Sequence, residues 1–169
     1  MCIRDRASSV KAKRGGDGQL NLLYWQAPST MNPNLSGGTK ELEASSVVLE
    51  PLARYDEKGN MLPWLAESIP TVANGGVSKD LTSITWKLKK GIKWSDGSAF
   101  TADDVVFTHE YCTNPDTGCT QTNYYSDIQS VKAIGSQTVK IQSKVPKPFP
   151  YQAFVGSVSY THLTLPTKA

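Results

Sequence analysis

Residues 86–111 read WKLKKGIKWSDGSAFTADDVVFTHEY, and they pass in quick succession through a strand end, a turn and a helix start. Just upstream, residues 83–89 (SITWKLK) alternate: Ile84, Trp86 and Leu88 point one way, Thr85, Lys87 and Lys89 the other. A period of two with one apolar face predicts a half-buried antiparallel strand. Asp96-Gly97 predicts the turn, because glycine takes positive φ without a Cβ clash. Thr101 predicts the helix N-cap, its hydroxyl placed to accept from a free first-turn amide. Asp103 and Asp104 fall in that turn, where carboxylates meet the positive end of the helix dipole. Phe100 just before the cap and Val105 four residues after it fit a hydrophobic staple. Folding chemistry accounts for each of these residues. The two aspartates are therefore assigned to structure, not to acid–base catalysis.

The flanks carry weaker signals. Residues 7–18 (ASSVKAKRGGDG) are small, polar and Gly-rich and read as a flexible leader. Residues 19–26 (QLNLLYWQ) predict a strand, and residues 27–40 (APSTMNPNLSGGTK) a loop with several turn signals. Residues 41–52 predict a helix, with Leu42, Ser45, Ser46 and Leu49 on one face. Residues 56–60 (DEKGN) read as a turn between short extended pieces, residues 63–68 as a short helix, and Asn74-Gly75-Gly76 as another turn. Beyond the capped helix, TNPDTGCTQTN is a polar loop. Residues 130–143 predict a hairpin turning at Gly135-Ser136, with Val131, Ala133, Val139 and Ile141 as strand residues.

The two ends need separate treatment. Residues 1–6 are MCIRDR and residues 157–162 are SVSYTH. The first can be encoded by ATGTGTATAAGAGACAGA, whose reverse complement encodes the second. One DNA segment read in both orientations therefore explains both, as a sequencing adapter read through as protein would. On this expectation residues 1–6 and 157–169 are foreign, and residues 19–156 are the N-terminal part of a longer domain. Without the ends, fifteen Lys and Arg face fourteen Asp and Glu, so the net charge drops from +3 to +1. That balance gives no reason to expect a nucleic-acid partner. The chain has 169 residues, 38% of them hydrophobic and 20% charged, which suits a globular domain rather than a disordered one.

Chemistry-bearing patterns are few. There is no nucleotide-binding glycine pattern, no zinc-ligand spacing and no GxSxG. His109 stands on a helix without the partners that nucleophilic catalysis needs. No metal site and no catalytic residue is assigned. Cys112 and Cys119 flank a turn-rich loop. They read either as a disulfide, worth about 2–3 kcal/mol in an oxidising compartment, or as two buried thiols. Aromatic residues gather at Tyr24-Trp25 and Tyr124-Tyr125. Core packing is the ordinary use of such pairs, and the lining of a ligand cleft the functional one.

Taken in order, a strand running into APSTMNPNLS, then LEPLARYDEKGNMLPWLAESI, TWKLKKGIKWSDGSAFTADDVVFT and SVKAIGSQTVKIQSKVPKPF resemble the N-terminal part of one family. These are the family 5 solute-binding proteins of peptide-type ABC importers, which serve peptides, oligopeptides and nickel. KWSDGSAFTADDVVF and the GNMLPWLAES of residues 59–68 are the most specific elements. The resemblance implies a truncated α/β chain. It would be part of a type II periplasmic-binding-protein fold, the start of lobe I plus an extra β-rich subdomain. It also implies a periplasmic or cell-surface protein, monomeric and without a cofactor. Such a protein captures a peptide or related small solute, hands it to a membrane permease, and does no chemistry on it. Ligand-facing positions carry over to Gln26, Ala27 and Pro28 after the first strand, and to Tyr124 or Tyr125 after the capped helix. Two rivals belong to other classes: a fragment of a secreted enzyme, and the sensor domain of a signalling receptor.

Overall fold

A computed structural model describes residues 23–155. Two helices, α1 (Thr39–Ser45) and α2 (Ala102–Thr113), accompany five strands: β1 (Ala53–Tyr55), β2 (Met61–Pro63), β3 (Ser83–Lys87), β4 (Ile128–Ala133) and β5 (Thr138–Ser143). β1 and β2 form a hairpin, and β3, β5 and β4 form an antiparallel sheet in that order.

The three-stranded sheet is where the expected alternation holds. Ile84, Trp86 and Leu88 are each 1% exposed, while Lys87 is exposed. Their partners on β5 repeat the pattern, with Trp86 opposite Val139 and Ile84 opposite Ile141. β4 adds Val131 opposite Ile141. Gly135 turns the β4–β5 hairpin at φ +68°. Helix α2 lies on the apolar face, against β4 and β5. It contributes Ala102, Val105 and Cys112 to the same core as the sheet. The connection from β3 through α2 lets β3 pair with the last strand, not its sequence neighbour.

The helix start matches its sequence signals. The Asp104 carboxylate reaches back to accept from the Thr101 backbone amide at 2.7 Å and lies 3.4 Å from the Trp94 indole nitrogen. Asp104 is thereby held as a cap. Phe100 and Val105 are both buried, 6% and 2% exposed, as a hydrophobic staple requires. Gly97 has φ +89°, and the Asp96 carboxylate accepts from the Ser98 amide at 2.8 Å.

Three expectations differ from the fold. Residues 63–68 form no helix, because their amides are used elsewhere. Trp64 and Ala66 donate to the Leu52 carbonyl and Glu67 donates to that of Lys87, all at 2.8–3.0 Å. The segment fastens the β1–β2 hairpin to the end of β3. Helix α1 covers only Thr39–Ser45, not residues 41–52. Ser45 and Ser46 turn their hydroxyls onto the Leu42 and Glu43 carbonyls, and two β-branched valines follow. Of the proposed strand at 19–26, residues 23–26 are not in a strand and residues 19–22 lie outside the described residues.

The turn at 56–60 is held by Asp56, whose carboxylate accepts from the Lys58 and Asn60 amides and the Asn60 side chain at 2.8–2.9 Å. The chain then comes back to this hairpin: Val155 bridges to Ala53 in parallel orientation. The turn at 74–76 is crowded rather than strained. A Cβ on Gly76 would meet the Pro70 Cα at 2.7 Å and the Asn74 Oδ1 at 2.9 Å. Gly76 also passes its carbonyl to the Thr85 amide at 2.7 Å, so it cannot swing away freely. Gly76→Ala is expected to destabilise the chain by about 1–3 kcal/mol through overpacking. Thermal melting checks this, with Gly37→Ala as the control, since Gly37 has nothing within 4 Å of its Cβ position.

Candidate functional site

The candidate ligand-facing residues lie on two segments far apart in sequence. The first is the stretch after Trp25. Ser29 donates both its amide and its hydroxyl to the Glu41 carboxylate, at 3.1 and 2.8 Å. Lys40 donates to the Ala27 carbonyl at 3.2 Å and lies 3.3 Å from the same carboxylate. Farther on, the Asn32 side chain accepts from the Asn34 amide at 3.0 Å and starts a single 3-10 turn, Pro33–Leu35. Proline suits the first position of such a turn because its missing N–H is not needed there.

Glu41 is the buried charge of this site, 2% exposed. The Ser29 backbone amide, and after it the Ser29 hydroxyl, hold its carboxyl down at about 2, against an ordinary 4.5, despite its burial. Gly38, the N-cap of α1, leaves room for this. A Cβ there would collide with the Glu41 carboxylate oxygen. Because the folded-state pKa is depressed, the contribution of this contact is complete above pH 4.5. It is lost as pH falls towards about 2. The protection of the Ser29 amide against hydrogen exchange should therefore fall across that window. In Glu41→Gln, whose carboxamide oxygen can still accept but does not titrate, it should not vary with pH across that window.

The second segment is the loop between α2 and β4. Cys112 and Cys119 are joined in a disulfide with Cα atoms 5.1 Å apart. Four contacts tie this loop and the last turn of α2 to the first segment. The Asn32 side-chain amide donates to the Tyr111 hydroxyl at 3.3 Å. The Thr120 amide and hydroxyl both donate to the Asn34 carbonyl, at 2.8 and 3.3 Å. The Gln121 side chain donates to the Pro33 carbonyl at 2.8 Å. Sequence positions some eighty residues apart are thus held as one unit.

Gln26, Ala27 and Pro28 are all exposed at one end of this unit. The two tyrosines separate. Tyr124 is 52% exposed and borders a small surface pocket with Asn123, Asp127, Lys147 and Phe149. Lys147 and Asp127 form an ion pair there that holds the Asp127 carboxyl below its usual range. Tyr125 is 1% exposed and packs edge-on against Phe154, with ring centroids 5.6 Å apart. Burial pushes its hydroxyl pKa up. Of the pair, only Tyr124 has a free face to offer a ligand. Trp25 is 77% exposed, so the packing role first expected of it is not seen.

His109 sits against Tyr125, with ring centroids 6.1 Å apart, and burial lowers its pKa. Its ring thus has a packing environment. Among the described residues no cluster of three His, Cys, Asp or Glu could hold a metal ion, and no helix is long and apolar enough to cross a membrane. Asn32, Thr120 and Gln121, which bind the two segments together, and Ser29 and Glu41, which hold the first one in place, were not singled out from the sequence. The Asn-Pro-Asn of residues 32–34 was the available signal, since asparagine before proline favours a turn closed by its own side chain.

Comparison with known proteins places this arrangement. Residues 60–168 match the family described as bacterial extracellular solute-binding proteins, family 5 middle. The oligopeptide-binding protein AppA of Bacillus subtilis is 31% identical over 139 residues, which are 82% of this chain and 24% of AppA. The structure of Haemophilus influenzae OppA in complex with RPPGFSPFR is similar with a TM-score of 0.66 at 25% identity, covering 73% of this chain and 26% of that one. NikZ from Campylobacter jejuni in complex with Ni(L-His) is similar with a TM-score of 0.61 at 30% identity, covering 74% of this chain and 24% of that one. This chain spans about a quarter of the length of these relatives. Its α/β fold is accordingly a part of the type II periplasmic-binding architecture, the start of the first lobe with the extra β-rich subdomain. The chain belongs to the bacterial extracellular solute-binding proteins of family 5.

Proposed function

We propose that this chain supplies part of the substrate-binding component of an ABC importer. That component captures peptides outside the cytoplasmic membrane and delivers them to a membrane permease. The observation that carries this reading is the paired placement of two exposed surfaces. Gln26, Ala27 and Pro28 stand on one loop and Tyr124 on another, and the loops are hydrogen-bonded to each other. An extended peptide offers amides and carbonyls that such exposed backbone can pair with. A half-exposed aromatic ring adds apolar contact with a polar handle. Peptide rather than metal chelate is favoured by relatives named for oligopeptide binding. The Cys112–Cys119 disulfide suits an oxidising compartment. Delivery requires no chemistry on the solute, so no catalytic residue is assigned, and the protein is proposed to act as a monomer.

Saturation-transfer NMR on the 169-residue chain, with an oligopeptide, nickel–histidine and a disaccharide offered in turn at millimolar concentration, tests the substrate class. A signal on the peptide alone is expected. A signal confined to the chelate or the sugar would overturn the peptide reading.

A further inference from the structure

The structure assigns the Cys112–Cys119 disulfide, with Tyr111, Thr120 and Gln121 beside it, as a clamp that positions the segment carrying Gln26, Ala27 and Pro28. The proposal rests on the reading that those three residues face the ligand. Tyr111 immediately precedes Cys112, and Thr120 and Gln121 immediately follow Cys119. The crosslink therefore fixes, within two residues of its cysteines, the groups that meet Asn32, Pro33 and Asn34. Cys112 is fully buried in the last turn of α2, and α2 is seated on the sheet. The disulfide passes that rigidity to the loop, and the loop passes it to residues 33 and 34 through three hydrogen bonds, while Tyr111 on α2 itself accepts a fourth from Asn32.

Two further observations favour a local positioning role over a general staple. The bridge closes a loop of only seven residues in sequence separation. So short a loop removes comparatively little freedom from the unfolded chain. Within the clamped segment Pro33 is a buried apolar anchor, but Leu35 is 41% exposed and residues 26–29 are exposed, so polar contacts set the position of the rest. Inside the loop, the Thr117 hydroxyl donates to the Tyr111 carbonyl at 2.7 Å and Gly118 turns the chain back at φ +69°. Both features hold the two ends of the clamp in register.

Hydrogen exchange read by mass spectrometry tests this on the oxidised 169-residue chain, on the chain reduced with dithiothreitol, and on the Cys112→Ser/Cys119→Ser variant. In the reduction a dithiol gives two electrons and two protons to the S–S bond. It leaves two cysteine thiols and a cyclic disulfide. Exchange in residues 27–36 is expected to quicken about tenfold or more in both altered forms, while β3 and β5 keep their protection. Gln121→Ala and Tyr111→Phe, which leave the disulfide intact, should each quicken the same residues by a smaller factor. Unchanged exchange in 27–36, or equal quickening in the sheet, would overturn the clamp. The ligand reading is separable. A clamp that responds as expected while millimolar peptide fails to protect residues 26–28 would remain a clamp and would sink their ligand-facing role.

Discussion

Replacing Trp86 with alanine should cost the chain about 3–5 kcal/mol, much of what holds a domain of this size together. Trp86 is 1% exposed on β3, opposite Val139 on the middle strand. Its ring meets Tyr151 edge-on, with centroids 6.2 Å apart. Tyr151 in turn donates its hydroxyl to the Pro70 carbonyl at 2.7 Å. Removing the indole empties the space between the sheet and the returning chain and loosens that second anchor. The cavity term therefore adds to the lost transfer free energy. Lys87 is the control. It is the next residue along the same strand, it is exposed, and Lys87→Ala should stay within about 0.5 kcal/mol. Urea unfolding followed by tryptophan fluorescence and circular dichroism measures both. A loss under 1 kcal/mol at Trp86 would mean that the sheet core is not where the stability lies.

The second large effect concerns affinity. The chain should bind peptide no more tightly than about 1 mM, roughly a thousandfold weaker than a closed two-sided site of micromolar affinity. Ligand sites of useful affinity bury most of their ligand. Here Gln26, Ala27, Pro28 and Tyr124 lie on an open surface. This chain spans about a quarter of its relatives' length. One exposed wall supplies a few backbone hydrogen bonds and one aromatic contact, against the full cost of immobilising a flexible peptide. Isothermal calorimetry with a tri- and a nonapeptide checks this. Micromolar binding would show that these residues already form a complete site.

What could be read in the sequence was whatever rests on local chemistry. The alternation of residues 83–89 survives folding because a strand with one apolar face has only one way to bury it. Phe100, Thr101, Asp104 and Val105 act within one helical turn of each other, so their spacing alone specifies the cap. Gly135 and Gly97 mark turns because their positive φ values belong to the turns themselves. What could not be read depends on partners distant in the chain. Residues 63–68 carry a passable helical pattern, yet their amides go to Leu52 and Lys87. Tyr124 and Tyr125 are adjacent and chemically alike. The positions of Phe154 and His109, both distant in sequence, decide which of them is core. The two loops that the family resemblance singled out are joined in the fold by hydrogen bonds. The contacts that join them, from Asn32, Thr120 and Gln121, span some eighty residues and leave no periodic trace.

The most direct measurement is an amide shift map of the isotopically labelled 169-residue chain titrated with an oligopeptide to about 10 mM, an order of magnitude above the expected dissociation constant. Expected are saturable shifts at Gln26, Ala27 and Tyr124 and smaller ones through Asn34 and Thr120. The outward lysines of the sheet, Lys132 and Lys140, should stay unmoved. Shifts confined to that outer sheet face, or none along residues 26–34 and 120–124, would contradict the assignment of these two loops as a wall of the solute site.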